Sequence, residues 1–293
     1  MSTAQPGILL PVPPFARYLT FSLKPEAAPR ESLRALRDAT DGERWVVGLG
    51  LSAVLALGAE VEDLWPFPNL IGPGFDIPAT DGGLWVWIRG DDRGEIFHQS
   101  RRVERMLAGA FELEQVIDAF RYLDGRDLTG YEDGTENPKG EDAEAAAIVR
   151  GGTAGLEGSS FVAVQQWLHR LDCFEAMSPE ERDNVIGRHR DGNEEIEDAP
   201  PSAHVKRTAQ ESFEPAAFVV RRSMPWADGR RAGLVFVAFG ASLGAFEAQL
   251  RRMAGLEDGI ADALFKFTRP VSGAYYWCPG IRRGRLDLSA IGL

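Results

Sequence analysis

The amino-acid sequence predicts an α+β fold in which one order of elements is used twice. Three observations carry this. Short runs rich in β-branched and aromatic residues alternate with amphipathic segments. Each half of the chain reads strand, helix, strand, strand, helix, strand. Apolar residues make up 44% of the 293 residues, close to the globular average of ~45–50%. That order is the split βαβ unit, with helices covering one face of a sheet. At roughly 150 residues per domain, the length suits two such units. The residues themselves show no matching repeat.

The elements follow in order. In the first half, strands are read at Arg17–Lys24, Trp45–Leu51, Leu84–Arg89 and Gln115–Leu123. Helical periodicity covers Arg30–Ala39 and Glu95–Phe111, where Ile96, Val103, Met106 and Leu107 share a face. In the second half, strands are read at Ser160–Leu168, Ala217–Ser223, Leu234–Gly240 and Ala274–Cys278. Its helices are Pro179–Ile186, opened by Ser178 as N-cap, Leu243–Ala254 and Ile260–Phe267. Two long polar segments interrupt these elements, Asp124–Gly158 and Arg188–Glu214. Long connections of this kind tend to carry function.

Composition narrows the partners. Lys and Arg number 32 against 44 Asp and Glu, a net charge of −12. Such a chain is repelled by nucleic acid and by anionic membranes, so neither is expected as a partner. The N-terminal run is interrupted by Pro11, Pro13 and Pro14 and lacks a basic start, so no signal peptide is read. No stretch approaches the ~18 apolar residues of a membrane span. Cys173 and Cys278 stand outside any CxxC spacing, which suits a reducing compartment. A cytoplasmic protein is expected.

Several common chemistries lack their residues. There is no HExxH, no GxSxG, no Walker loop and no GxGxxG, and the four histidines show no metal-binding pair. His98, His169 and His189 read as structural or solvated. His204 differs, because it follows Pro200-Pro201 in a long loop, where functional histidines concentrate. Gly130-Tyr131-Glu132-Asp133-Gly134 reads as an acidic turn, yet its glycines would let a carboxylate approach a ligand closely. In Val219–Ser223 the strand period places Arg221 with Val219 and Ser223 on one face, so Arg221 is pushed toward an interior or a pocket. A buried guanidinium needs an anionic partner.

Together these pieces resemble the dye-decolorizing peroxidases, a family of haem enzymes, and within it the bacterial cytoplasmic type B subgroup. The signature GxxDG stands here as GYEDG, Gly130 to Gly134, extended by TENP. Val185–Ile196 is similar to the segment before the family's proximal histidine, which then falls at His204. Arg221, Ser223 and Pro225 follow in the family's pattern, and FTRPVSGAYYWCP matches its end. The resemblance implies two ferredoxin-like halves of the dimeric α+β barrel type, with antiparallel sheets and helices outside. It places residues 1–150 in a half ending in the GxxDG loop, and 151–293 in a half carrying the haem pocket.

The resemblance also implies roles. One haem b per chain would be ligated by His204, with Asp262 as the carboxylate on its free ring nitrogen. Arg188 would meet a propionate, with Arg207 a weaker candidate. Asp133 would act as distal acid–base, with Glu132 and Glu136 as alternatives, and Arg221 would stabilise charge on the breaking O–O bond. Ser223 stands where some members carry asparagine. Hydrogen peroxide would be reduced through a ferryl intermediate, and dyes, phenolics or porphyrinogens would supply single electrons. An aspartate base, with an ordinary pKa near ~3.9, implies an acidic optimum. Tyr131, Trp226, Tyr276 and Trp277 are candidates for carrying electrons to the surface. A homo-oligomer is expected. The competing reading is a haem-binding or haem-handling protein without catalysis. A third, cargo of a protein shell, rests on the short tail Arg282–Leu293.

Overall fold

The computed structural model describes residues 2–72, 74–151 and 153–293. Its centre is a closed barrel of eight strands. In chain order these are β1 (Phe15–Leu23), β2 (Trp45–Leu49), β3 (Leu84–Gly90), β4 (Phe111–Phe120), β5 (Ser160–His169), β6 (Met224–Asp228), β7 (Arg231–Gly240) and β8 (Ala274–Cys278). Around the ring they run β2-β3-β1-β4-β6-β7-β5-β8, and β8 returns to β2. All pairings are antiparallel. Each set of four has the order 2-3-1-4, so the ferredoxin-like pattern occurs twice. The two sets join through Ala119↔Trp226 and Trp277↔Leu49.

Strand alternation sorts the side chains. One face of β1 and β3 points into the barrel with Tyr18, Trp85 and Trp87, and Tyr276 joins them from β8. Tyr18 stacks on both tryptophans with ring centroids 6.0 Å apart. An eight-stranded barrel is just wide enough for side chains to fill it, so the interior is a packed core. The opposite faces carry Leu19, Phe21, Val86 and Ile88 toward the helices. Two helices cover the first set: α1 (Arg30–Ala39), through Leu33 and Leu36, and α2 (Arg93–Leu107), through Ile96, Val103 and Leu107. Asp92 caps α2 by accepting from the Glu95 amide at 2.7 Å.

In the second set, α3 (Pro179–Ile186) opens with a full capping box between Ser178 and Glu181 and closes on Gly187 at φ 93°. Helix α4 (Gly244–Met253) lies over the sheet. The long segments are partly structured: Glu141–Ala147 is helical and His204–Arg207 forms one helical turn.

Two elements differ from the sequence expectation. The run Ala217–Ser223 is not a barrel strand; only Val220–Arg221 pairs, and β6 starts at Met224. The Ala217 and Val219 amides instead donate to Gln210, at its O and Oε1, both at 2.9 Å. Ile260–Phe267 is not an α-helix but a 3-10 turn over Ala263–Lys266. The amides of Asp262 and Ala263 donate to Met253 O and Ser202 O, each at 2.8 Å, so no helical ladder forms. Cys173 and Cys278 are both free thiols. No helix among the described residues is long and apolar enough to cross a membrane.

Candidate active site

The outward face of β5 changes use along its length. Phe161 and Ala163 belong to the core, whereas Gln165, Trp167 and His169, continuing the same period of two, line a cavity. Leu234 and Phe236 of β7 extend this floor. Phe246, Gln249, Leu250 and Met253, on one stripe of α4, form a second wall. The loop from Asp127 to Asp133 and the turn bearing His204 complete it. Apolar side chains dominate this lining and a few polar groups converge on it, as in ligand pockets.

His204 reaches this cavity from the first position of its helical turn. Its Nδ1–H donates to Asp262 Oδ2 at 2.8 Å, and the Asp262 side chain is fully buried. Asp262 caps its own 3-10 turn, accepting from the Leu264 amide at 2.8 Å. Both carboxylate oxygens are thereby fixed, and so is the imidazole. Nε2 is left for a ligand.

Asp133 and Arg221 lie on the same cavity. Asn137 holds them together. Its Nδ2 donates to Arg221 O at 3.0 Å, and its Oδ1 accepts from Arg221 N at 2.8 Å. The acidic loop is thus clipped to Val220–Arg221. Gly134, at φ 78°, leaves room for this clip, because a Cβ there would lie 2.7 Å from Asn137 Nδ2. Residues 133 and 221 also border a second cavity, lined further by Asn137, Arg222 and Ser223.

A second anchor ties the loop to the sheet. His169 Nε2–H donates to Asp127 Oδ2 at 2.9 Å, and Thr268 Oγ1 lies 2.6 Å from His169 Nδ1. Burial alone would raise the Asp127 carboxyl, but its bonds from His169 and Thr129 outweigh this and hold it below its ordinary value.

Of the residues the sequence singled out, His204, Asp262, Asp133 and Arg221 are brought to one place. Glu132 also borders the cavity. Ser223 is not in its wall but lines the second cavity with Asp133 and Arg221, and its Oγ accepts from the Val237 amide at 3.4 Å. Arg188 is outside the wall too, engaged by Glu136, Glu195 and the Asn193 carbonyl. Arg207 is bound by both Asp258 oxygens at 2.8 Å. Asn137, Asp127, His169, Gln165 and Trp167 were missed by sequence reasoning. For Asn137 no local signal exists, since its partner is 84 residues away.

Residues 124–283 match the family model described as Dyp-type peroxidase, C-terminal. A dye-decolorizing peroxidase of Mycobacterium tuberculosis is 30% identical, over 94% of this chain and 88% of that protein. The chain belongs to the Dyp-type peroxidase family. One from Mycolicibacterium paratuberculosis is 31% identical, over 79% of this chain and 70% of that protein. Among solved structures, a dye-decolorizing protein from V. cholerae is 30% identical with a TM-score of 0.84, over 93% of this chain and 96% of that one. A variant of Rhodococcus jostii RHA1 DypB in complex with heme is 25% identical with a TM-score of 0.85, over 93% and 95%. The chain is accordingly a haem peroxidase of dye-decolorizing type, using hydrogen peroxide as oxidant and electron donors as reductants.

The cavity's own chemistry fits haem. Gln165 Nε2, Trp167 Nε1 and Arg221 Nε line it, are buried, and have no hydrogen-bond partner among the described residues. Three unpaired donors gathered on one cavity are available to a bound ligand. Apolar walls and one imidazole with a free nitrogen suit a flat macrocycle carrying iron.

Proposed function

We propose that this Dyp-type peroxidase binds one haem b per chain in the cavity, with His204 as the iron ligand and Asp133 and Arg221 as the distal pair. The observation that carries the reading is the convergence on one cavity of an imidazole fixed by a buried carboxylate and of the Asp133 loop, clipped by Asn137 to the Arg221 backbone. The halves 1–150 and 151–293 contribute unequally in this reading: the first ends in the loop of Asp133, and the second supplies the floor, α4 and His204.

The chain's residues have distinct tasks. Asp262 accepts the His204 Nδ1 proton in a hydrogen bond, which raises the basicity of Nε2. Asp133 removes a proton from one oxygen of hydrogen peroxide and delivers it to the other, so that water can leave. The Arg221 guanidinium stabilises negative charge as the O–O bond breaks. Asn137 positions both groups relative to each other. The bound haem supplies the electrons for peroxide reduction and recovers them singly from donors such as dyes, phenolics or porphyrinogens.

The test is reconstitution with haem. His204→Ala is expected to abolish the ligand-bound spectrum, and Asp262→Asn to weaken haem binding or peroxide turnover about 10–100-fold. Unchanged haem ligation in His204→Ala would refute the assignment. Haem binding by the wild type without any peroxide turnover would favour a haem-handling protein.

A further inference from the structure

We propose that the second cavity, beside the distal pair, is a seat for a small monovalent anion such as nitrate or chloride, held by Arg222, and that an anion seated there restrains the peroxide reaction. The seat stands independently; the restraint rests on the peroxidase reading above.

The cavity is cationic in an acidic chain. Arg121, Arg126, Arg221 and Arg222 line it against Asp124 and Asp133. Arg126 is paired with Asp124 at 3.0 Å and with Glu132 at 3.2 Å. Three guanidiniums are then left to one carboxylate, in a chain whose net charge is −12.

Arg222 is the least compensated of the three. Its Nη1 donates to Arg221 O at 3.0 Å and its Nη2 to Leu9 O at 2.6 Å, both uncharged acceptors. A guanidinium has five N–H donors, so the others remain free, and Nε is buried without a partner. Its charged neighbour is Arg89, which also bonds only carbonyls, Glu43 O at 3.0 Å and Pro11 O at 2.6 Å. Neither arginine forms an ion pair among the described residues. Burial, and then repulsion from Arg89, push the Arg222 guanidinium down to about 10, which leaves it charged at neutral pH. A charge withdrawn from water in this way is stabilised by an anionic partner, and the described residues supply none.

Two further donors face the same space. Ser223 Oγ accepts from the Val237 amide at 3.4 Å, so its O–H is free to turn to the cavity. Arg121, at the exposed rim, has no side-chain partner among the described residues. The cavity volume is about 160 Å³. At ~30 Å³ per water in the liquid, that admits a small ion with part of its hydration and excludes an aromatic donor.

The seat reaches the chemistry through one carbonyl. Arg221 O accepts from Arg222 Nη1 and from Asn137 Nδ2, each at 3.0 Å. An anion on the Arg222 guanidinium therefore touches the clip that joins the acidic loop to Arg221. Its charge also offsets part of the Arg221 field that stabilises the breaking O–O bond, which slows the peroxide step.

The experiment is titration of the ferric holoenzyme with sodium nitrate, at an ionic strength held by gluconate, read by calorimetry and by haem absorption. One nitrate per chain is expected to bind with an unchanged haem spectrum, which places it away from the iron. In Arg222→Gln its Kd should rise about tenfold, and in Arg222→Lys by less. Arg121→Gln, at the surface, should raise Kd two- to threefold and serves where Arg222→Gln does not fold. In stopped flow with hydrogen peroxide, nitrate should slow the wild-type reaction about two- to tenfold along the same saturation curve. No saturable binding, or binding as tight in both glutamine variants as in the wild type, would overturn the seat. Nitrate bound with no change in the peroxide rate would overturn the restraint. A wild-type haem that does not react with peroxide would sink the peroxidase reading and the restraint with it, while the binding result would still decide the seat.

Discussion

At the scale of single residues, the site depends on side chains whose second polar atom is already committed. Asp262 divides its oxygens between His204 and the Leu264 amide, and Asn137 uses both ends of its amide on Arg221. Fixed groups lose little freedom when a ligand binds, which is what precise positioning requires. The principal residues were legible because GYEDG, His204 and Arg221 form a motif in register. The supporting ones were not. Gln165, Trp167 and His169 read as a strand face in the sequence, and only the departure of the helix cover makes that face a wall. Ser223 lines the neighbouring cavity with Asp133 and Arg221 and not the one that His204 reaches. Asp127 gives a pH prediction. Its folded-state pKa lies below its unfolded one, so its carboxylate contributes stability above the ordinary carboxylate range. That contribution is lost as pH falls through the lowered folded value. Thermal unfolding followed against pH should show a drop in this acid range that is smaller in Asp127→Asn.

At the scale of elements, the connections matter as much as the strands and helices. Helix α3 was legible over Pro179–Ile186 because Ser178 reads as its N-cap, and the structure adds Glu181 to a capping box and Gly187 as a left-handed end. Ala217–Ser223 was misread because an apolar run does not reveal that Gln210 captures its amides. Ile260–Phe267 was misread for the same reason, with Met253 and Ser202 as the acceptors. Gly187 shows how an element's end reaches the site. A Cβ there would stand 2.3 Å from Val205 Cγ2, the residue after His204, at a φ of 93° that side chains rarely adopt. Gly187→Ala should therefore destabilise the protein by about 1–3 kcal/mol and shift His204. Differential scanning calorimetry with the haem absorption spectrum measures both effects, and an unchanged spectrum would disconnect α3 from the ligand turn.

For the whole molecule, the duplicated order of elements was legible, while closure of the sheets into one barrel came from pairings that no local pattern encodes. β4 meets β6 and β8 meets β2, so each half supplies the neighbour of the other's edge strands. Unpaired edges invite aggregation. Residues 151–293 expressed alone should consequently show no cooperative unfolding transition; a sharp one would mean that the halves are independent. The first half covers its outer face with α1 and α2, while the second opens part of the same face to the cavity. That asymmetry puts the cavity on the second half. The measurement that tests it most directly is stopped-flow absorption of haem-reconstituted protein mixed with one equivalent of hydrogen peroxide. Wild type should convert rapidly to the oxidised haem spectrum, and Asp133→Ala and Arg221→Ala should slow that conversion by about 10²–10³-fold. Conversion at the wild-type rate in both variants would contradict the assignment of the distal pair.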